Sequence, residues 1–117
     1  MFMRKSYRIK RESDFSLVYH QGENTANRQF VVYQLSKEQK HFRIGISVGK
    51  KIGNAVTRNY VKRRIRQAIY ELKDDLRQDV DFIIIARKPS ANMSQHEIKQ
   101  SLIHVLKLSK LLVPKDA

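Results

Sequence analysis

Apolar residues recur along this chain with two different periods, and the switches between them divide it into elements. Ser13 can cap a short helix reaching about His20, in which Phe15, Val18 and Tyr19 share one face at i, i+3 and i+4, and Gly22 suits a left-handed stop. Residues 28–35, "RQFVVYQL", are rich in β-branched and aromatic side chains and predict a strand with Val31, Tyr33 and Leu35 on one face. A polar loop, 36–41, ends it. Residues 42–48 then alternate with period two: Phe42, Ile44, Ile46 and Val48 point one way, Arg43, Gly45 and Ser47 the other. That second face has little bulk, which suits close approach by another chain segment or by a ligand backbone.

After Gly53 the period changes to that of a helix, predicted to run to about Gln78 with Val61, Ile65, Ala68, Ile69, Leu72 and Leu76 as its buried stripe. The continuous apolar run 82–86 predicts a central strand covered on both faces. Strand, helix and strand in that order imply a parallel pair joined by a crossover. Ser94 and Glu97 match a capping box opening a last helix, with Ile98, Leu102, Val105, Leu106 and Leu112 facing inward until Pro114. The expected fold is one α/β (α+β) domain over residues 1–117, a two-layer sandwich of three helices on a small mixed sheet of about four strands, ordered α-β-β-(β)-α-β-α.

Charge changes the picture more than composition does. The chain of 117 residues holds 24 Lys and Arg against 11 Asp and Glu, a net charge of +13, which in so small a domain is the footprint of a polyanion partner. The cations are unevenly placed. Residues 39–70 contain no carboxylate, while Arg4, Lys5, Arg8, Lys10 and Arg11 crowd the N-terminal segment, so nucleic acid is a better partner than a membrane. Without cysteine the chain has no disulfide, thiolate metal site or cysteine nucleophile, which agrees with a cytoplasmic location. No stretch reads as a signal peptide or a membrane span.

The stretch "GKKIGNAVTRNYVKRRIRQ" sets seven of those cations at the start of a helix, where the macrodipole disfavours them. Counting about 100° per residue from Arg58, Lys62 lies at about 40°, Arg66 at about 80°, Asn59 at about 100° and Arg63 at about 140°, with the apolar stripe near 325°. One flank is therefore a strip of cation and amide. A merely solvated face would mix signs at i, i+4; this one repeats a single sign at a local cost, which points to a bound RNA or DNA. Phe15, Tyr19 and Tyr33 could offer flat faces to unpaired bases; all three also suit the core, and Phe15 by itself suits it better. "GKKIGN" lacks the Gly-Lys-Ser/Thr of a phosphate-binding loop and is a turn into the helix whose Lys50 and Lys51 add secondary basic contacts, as does Arg11. Catalysis by protein side chains finds no support: Asp74, Asp75, Asp79 and Asp81 read as solubilising, and His20, His41, His96 and His104 show no ligand spacing.

"ANRQFVVY" (26–33), "RIGISVGKKIGNAVTRNYVKRRIRQ" (43–67) and "FIIIARKP" (82–89), in this order, resemble the protein subunit of bacterial ribonuclease P, from about Arg8 to Leu112. The resemblance implies a ribosomal-S5-domain-2-like fold with a left-handed βαβ crossover, where the general rule is right-handed. It also implies an endoribonuclease whose catalysis belongs to an RNA subunit using Mg²⁺, with no catalytic residue and no metal site assigned to the protein. The expected partners are that catalytic RNA and the single-stranded 5′ leader of precursor tRNA, bound by a monomer, one protein per RNA. Carried onto this chain, the leader cleft includes Phe15, Tyr19 and Tyr33, while Arg58, Asn59, Lys62, Arg63 and Arg66 face mainly the catalytic RNA. Tyr60 stands where the motif commonly has a third-position arginine, at about 200° around the helix and outside the strip. A ribosomal-type structural RNA-binding module explains the charge equally well without requiring a leader cleft.

Overall fold

The computed structural model describes residues 4–113. Helix α1 (Glu12–Gln21) is followed by strands β1 (Glu23–Ala26), β2 (Phe30–Ser36) and β3 (Arg43–Ser47), helix α2 (Ala55–Leu72), strand β4 (Val80–Ala86) and helix α3 (Gln95–Leu108). The sheet order is β1-β2-β4-β3, antiparallel except for the β3–β4 pair, which α2 connects. This is the expected mixed sheet of four strands with three helices, in an α+β sandwich.

The two periods explain the layers. Phe30 and Val32 of β2, Ile44 of β3 and Phe82 and Ile84 of β4 point to one side, where they pack with Val61, Ile65 and Ile69 of α2 and Ile98, Leu102 and Leu106 of α3. The alternate residues Tyr33, Leu35, Ile83 and Ile85 meet Ile9 and the α1 residues Phe15 and Val18 on the other side. β4 is thus apolar on both faces because helices lie on both. A single short helix cannot cover the second face, and part of β3 stays accessible beside α1.

Several boundaries differ from the sequence-based expectation. Ser13 lies inside α1, which starts at Glu12 after Arg11, and no side chain caps it. Gly22 is not left-handed: its φ of −80° and ψ of 161° are extended. Its small size is required for another reason, because a Cβ there would sit 2.4 Å from the Val18 carbonyl oxygen and 2.5 Å from that of Gln34. β1, an edge strand of "ENTA", has no apolar alternation to announce it.

α2 stops at Leu72 rather than near Gln78. Two carboxylates, Asp74 and Asp75, follow in a 3₁₀ turn, where the negative helix end disfavours them. Leu76 still enters the core, from an extended residue that pairs with Leu112 in an isolated bridge. Leu112 is accordingly not on α3. That helix ends at Leu108 and turns through Lys110, whose φ of 63° is left-handed, with the Leu111 N–H returning to the Leu106 carbonyl. The capping box at its start forms as expected: the Glu97 N–H donates to Ser94 Oγ and the Ser94 N–H to Glu97 Oε1. Pro114 lies outside the described residues.

Candidate nucleic-acid interface

The accessible part of β3 is the floor of a composite cleft. At one end α1 contributes Phe15, Ser16 and Tyr19, which with Glu12, His20, Ile46 and Ser47 line a depression of about 480 Å³. At the other end, Phe15, Ile44, Gly45 and Ile46 meet Arg8, Lys62 and Arg66 around a smaller one of about 170 Å³. Phe15 and Ile46 border both, so an aromatic end and a cationic end are contiguous.

Local sequence builds each wall. The Phe15 ring is seated over Gly45: a Cβ at that glycine would lie 2.3 Å from Phe15 Cε1. The small face of β3 therefore serves packing by this chain's own α1 at Gly45, and remains accessible at Ser47. Tyr19 and Tyr33 meet edge to face, with centroids 5.1 Å apart and planes at 75°, an arrangement the ring quadrupoles favour. Burial, then the neighbouring Tyr33, push the Tyr19 hydroxyl above its ordinary pKa, against a smaller lowering influence from Ser47. It stays neutral, able both to donate and to accept.

α2 supplies the cationic wall. Asn54 caps it by accepting from the Thr57 N–H at 2.9 Å, and its first turn holds no acidic residue. The buried stripe Val61, Ile65, Ala68, Ile69 and Leu72 fixes the rotation of the helix, which turns Lys62 and Arg66 into the cleft. Arg63 and Asn59 are exposed on its outer ridge, and Arg58 is half-buried near the helix start with its Nε unpaired. The strip is thus brought together as one helix flank, of which only Lys62 and Arg66 line the cleft itself. Lys50 and Lys51 are exposed on the 3₁₀ turn leading into α2, and Arg11 is exposed at the start of α1; none of the three lines either depression.

Arg8 is the residue that sequence reasoning left outside the site. The N-terminal segment forms a bridge from Arg8 to Ile44 and donates the Ile9 N–H to the Ile44 carbonyl, which carries Arg8 to the cleft. Burial, then the charge of Arg8, lowers the Arg66 pKa. Like charges gathered in a partly buried groove are unfavourable until an anion joins them. The signal for Arg8 in the sequence was the isolated apolar Ile9 within a cationic run.

Asp81 departs from expectation, because it is not solubilising. It is fully buried at the start of β4, accepts from Arg43 Nε at 3.0 Å and Gln39 Nε2 at 2.9 Å, and pairs with Lys37 at 3.2 Å. Burial alone would push its pKa up; the donors from Arg43, Gln39 and Lys37 outweigh that and hold it below the ordinary value. Asp14 of α1 joins the same group through Lys37 and Arg43, both at 3.5 Å. The network clasps α1, and with it the aromatic wall, to the sheet.

Among the described residues no three His, Asp or Glu side chains converge as metal ligands, and no helix is long and apolar enough to cross a membrane. A basic α+β sandwich whose aromatic groove runs into a cationic helix has the character of an RNA-binding protein. The profile of the Ribonuclease P family matches residues 3–110. The ribonuclease P protein component of Ligilactobacillus salivarius is 65% identical over 111 residues, 94% of this chain and 98% of that one. Its counterpart in Listeria welshimeri is 58% identical over 114 residues, covering 97% and 96%. The Staphylococcus aureus RNase P protein superposes with a TM-score of 0.86 at 49% identity, over 92% of this chain and 99% of that one. The Thermotoga maritima RNase P protein gives 0.80 at 28%, over 86% and 96%. The chain belongs to the ribonuclease P protein family.

Proposed function

We propose that this chain, as the protein component of the ribonucleoprotein endonuclease that matures tRNA 5′ ends, divides its work between two continuous surfaces. The single-stranded leader of precursor tRNA lies in the cleft, its bases against Tyr19, Tyr33 and the edge of Phe15 and its phosphates toward Arg8, Lys62 and Arg66. The outer flank of α2, with Arg58, Asn59 and Arg63, meets the catalytic RNA, aided by Lys50, Lys51 and Arg11. The observation that carries this reading is the shared border of the two depressions at Phe15 and Ile46. Stacking surface followed directly by cationic surface is what a single strand requires, since each nucleotide brings one flat base and one phosphate.

The protein side chains cut nothing in this proposal. Mg²⁺ enters as the ion of the RNA subunit. What the chain supplies is neutralisation and positioning: cations that lower the repulsion between leader and catalytic RNA reduce the Mg²⁺ needed to bring them together. One protein acts with one RNA, in the cytoplasm. Cleavage of a precursor tRNA by the cognate RNA subunit at low Mg²⁺, with and without the protein, tests the proposal. The protein should restore cleavage, and failure to do so would refute it.

A further inference from the structure

The flank of α2 turned away from the cleft carries a feature that neither surface uses. Tyr60 is 38% exposed, and the Arg64 guanidinium sits over its ring, 3.7 Å from the centroid. Arg64 Nη2 also donates to Tyr60 Oη, while Arg64 Nε is buried without a partner. The arginine's own backbone is held: its carbonyl accepts from Gln95 Nε2 of α3 at 2.9 Å. The ring is therefore oriented before any partner arrives. It forms one wall of an open groove of about 380 Å³ whose other walls are Val56, Thr57, Ala91 and Asn92. Val56 is 76% exposed, an apolar side chain left in the open on the first turn of the helix.

Charge restricts what can occupy this groove. α2 and the segment before it hold no carboxylate between residues 39 and 70, and the exposed ridge of Asn59 and Arg63 separates the groove from the cleft. An occupant has to present a flat apolar group on one side and negative charge toward that ridge. An RNA whose backbone follows the ridge does both. We infer that the Tyr60–Arg64 pair is a stacking platform for an unpaired nucleobase of RNA, with the Asn92 amide available to the base edge. An arginine at position 60 could contribute a charge but no such walled aromatic surface. The inference rests on the reading of α2 as an RNA contact.

The test compares Tyr60→Leu, Tyr60→Phe and Arg63→Ala in binding to the cognate ribonuclease P RNA, and in binding of the resulting holoenzymes to precursor and mature tRNA. Tyr60→Leu should weaken RNA binding about tenfold with an unchanged salt slope, because a stacked base is released while every phosphate stays neutralised. Tyr60→Phe keeps the ring and should stay within about twofold of the parent. The weakening should appear with the RNA subunit alone, which the ridge of Asn59 and Arg63 faces; a weakening confined to leader-bearing precursor would place the ring in the leader path and overturn the assignment. Parent affinity for Tyr60→Leu, or equal weakening by Leu and Phe, overturns the platform. Arg63→Ala, on the ridge beside the groove, separates the two readings: if it leaves affinity for the RNA subunit and the salt slope unchanged, the assignment of α2 itself has failed. Ultraviolet crosslinking of the unaltered complex needs no variant, and a Tyr60 nucleotide adduct is expected; its absence while other tyrosines crosslink counts against the platform.

Discussion

Asp81 illustrates what a single residue can decide and how little of it a sequence displays. It stands at the start of a strand that otherwise reads as uniform hydrocarbon, and its partners Lys37, Gln39 and Arg43 lie some forty positions away in a loop and a neighbouring strand. Nothing local separates it from the exposed Asp79, whose partner is the nearby Arg77. Replacing Asp81 by Asn leaves two cations facing a buried site, and should destabilise the protein by about 3 kcal/mol in urea melts. The pH dependence has a definite sign. Because the folded pKa lies below the unfolded value near 4, the stabilisation is complete above that value and drains as pH falls through the lower folded one. Asp81→Asn should therefore flatten the acid limb of the stability curve; an unaltered limb would place the titration elsewhere. Tyr19, by contrast, was legible as a lining residue because a phenol combines a flat face with a group that needs a partner, whereas Tyr33 lines neither depression and meets Tyr19 edge to face. Tyr33→Leu is expected to cost about 1 to 3 kcal/mol of holoenzyme affinity for leader-bearing substrate and little for mature tRNA, measured by equilibrium binding. Equal costs for both would assign the ring to folding. Gly22 was legible as special but for the wrong reason: backbone approach from Val18 and Gln34, not chain reversal, forbids a side chain there.

At the scale of an element, α2 reconciles two demands that compete along one helix. Its stripe of Val61, Ile65, Ala68, Ile69 and Leu72 is continuous and was readable from period alone, since burial on one face imposes the same 3.6-residue spacing wherever it occurs. Its C-terminus was not readable, because Leu76 keeps the apolar spacing while leaving the helix to pair with Leu112. Its N-terminus carries cations against the dipole, and the Asn54 cap is the local device that offsets this. Asn54→Ala should lower stability by about 1 kcal/mol in thermal melts. The same change should leave the salt dependence of RNA binding untouched, since the cap bonds to the helix's own backbone and to no phosphate. Lys62→Ala and Arg66→Ala are expected to do the opposite: near-parent stability, weaker binding, and a log K against log salt slope smaller by about one unit for each phosphate no longer neutralised. For Arg66→Ala, relief of the crowding by Arg8 favours the free protein further. An unchanged slope in both variants would remove the cleft wall from the RNA interface.

For the molecule as a whole, the fold class was readable because each layer follows from a period, and the missing piece, β1, is an edge strand whose "ENTA" has no apolar face to declare it. The cleft was only half readable: its aromatic and cationic walls come from α1 and α2, and their meeting over Gly45 depends on how far α1 covers the sheet. Net charge sets the remaining expectation. Of 11 carboxylates, Asp14, Asp79, Asp81 and Glu71 already serve in ion pairs among the described residues, so the excess of cations has few internal partners. Arg8, Lys62 and Arg66 are held at close quarters in a partly enclosed groove, where water screens them less than on an open surface. An anion that binds this folded site and not the unfolded chain must stabilise by mass action: at about ten times its Kd the gain is about 1.4 kcal/mol, or roughly 5 °C in a domain of this size. Sulfate or phosphate should thus raise the melting midpoint well above the effect of chloride at equal ionic strength. Simple screening predicts no difference between the salts once ionic strength is matched. Arg66→Ala then discriminates further, because a local site loses part of the sulfate-specific increment, whereas a diffuse effect of the whole +13 charge barely changes.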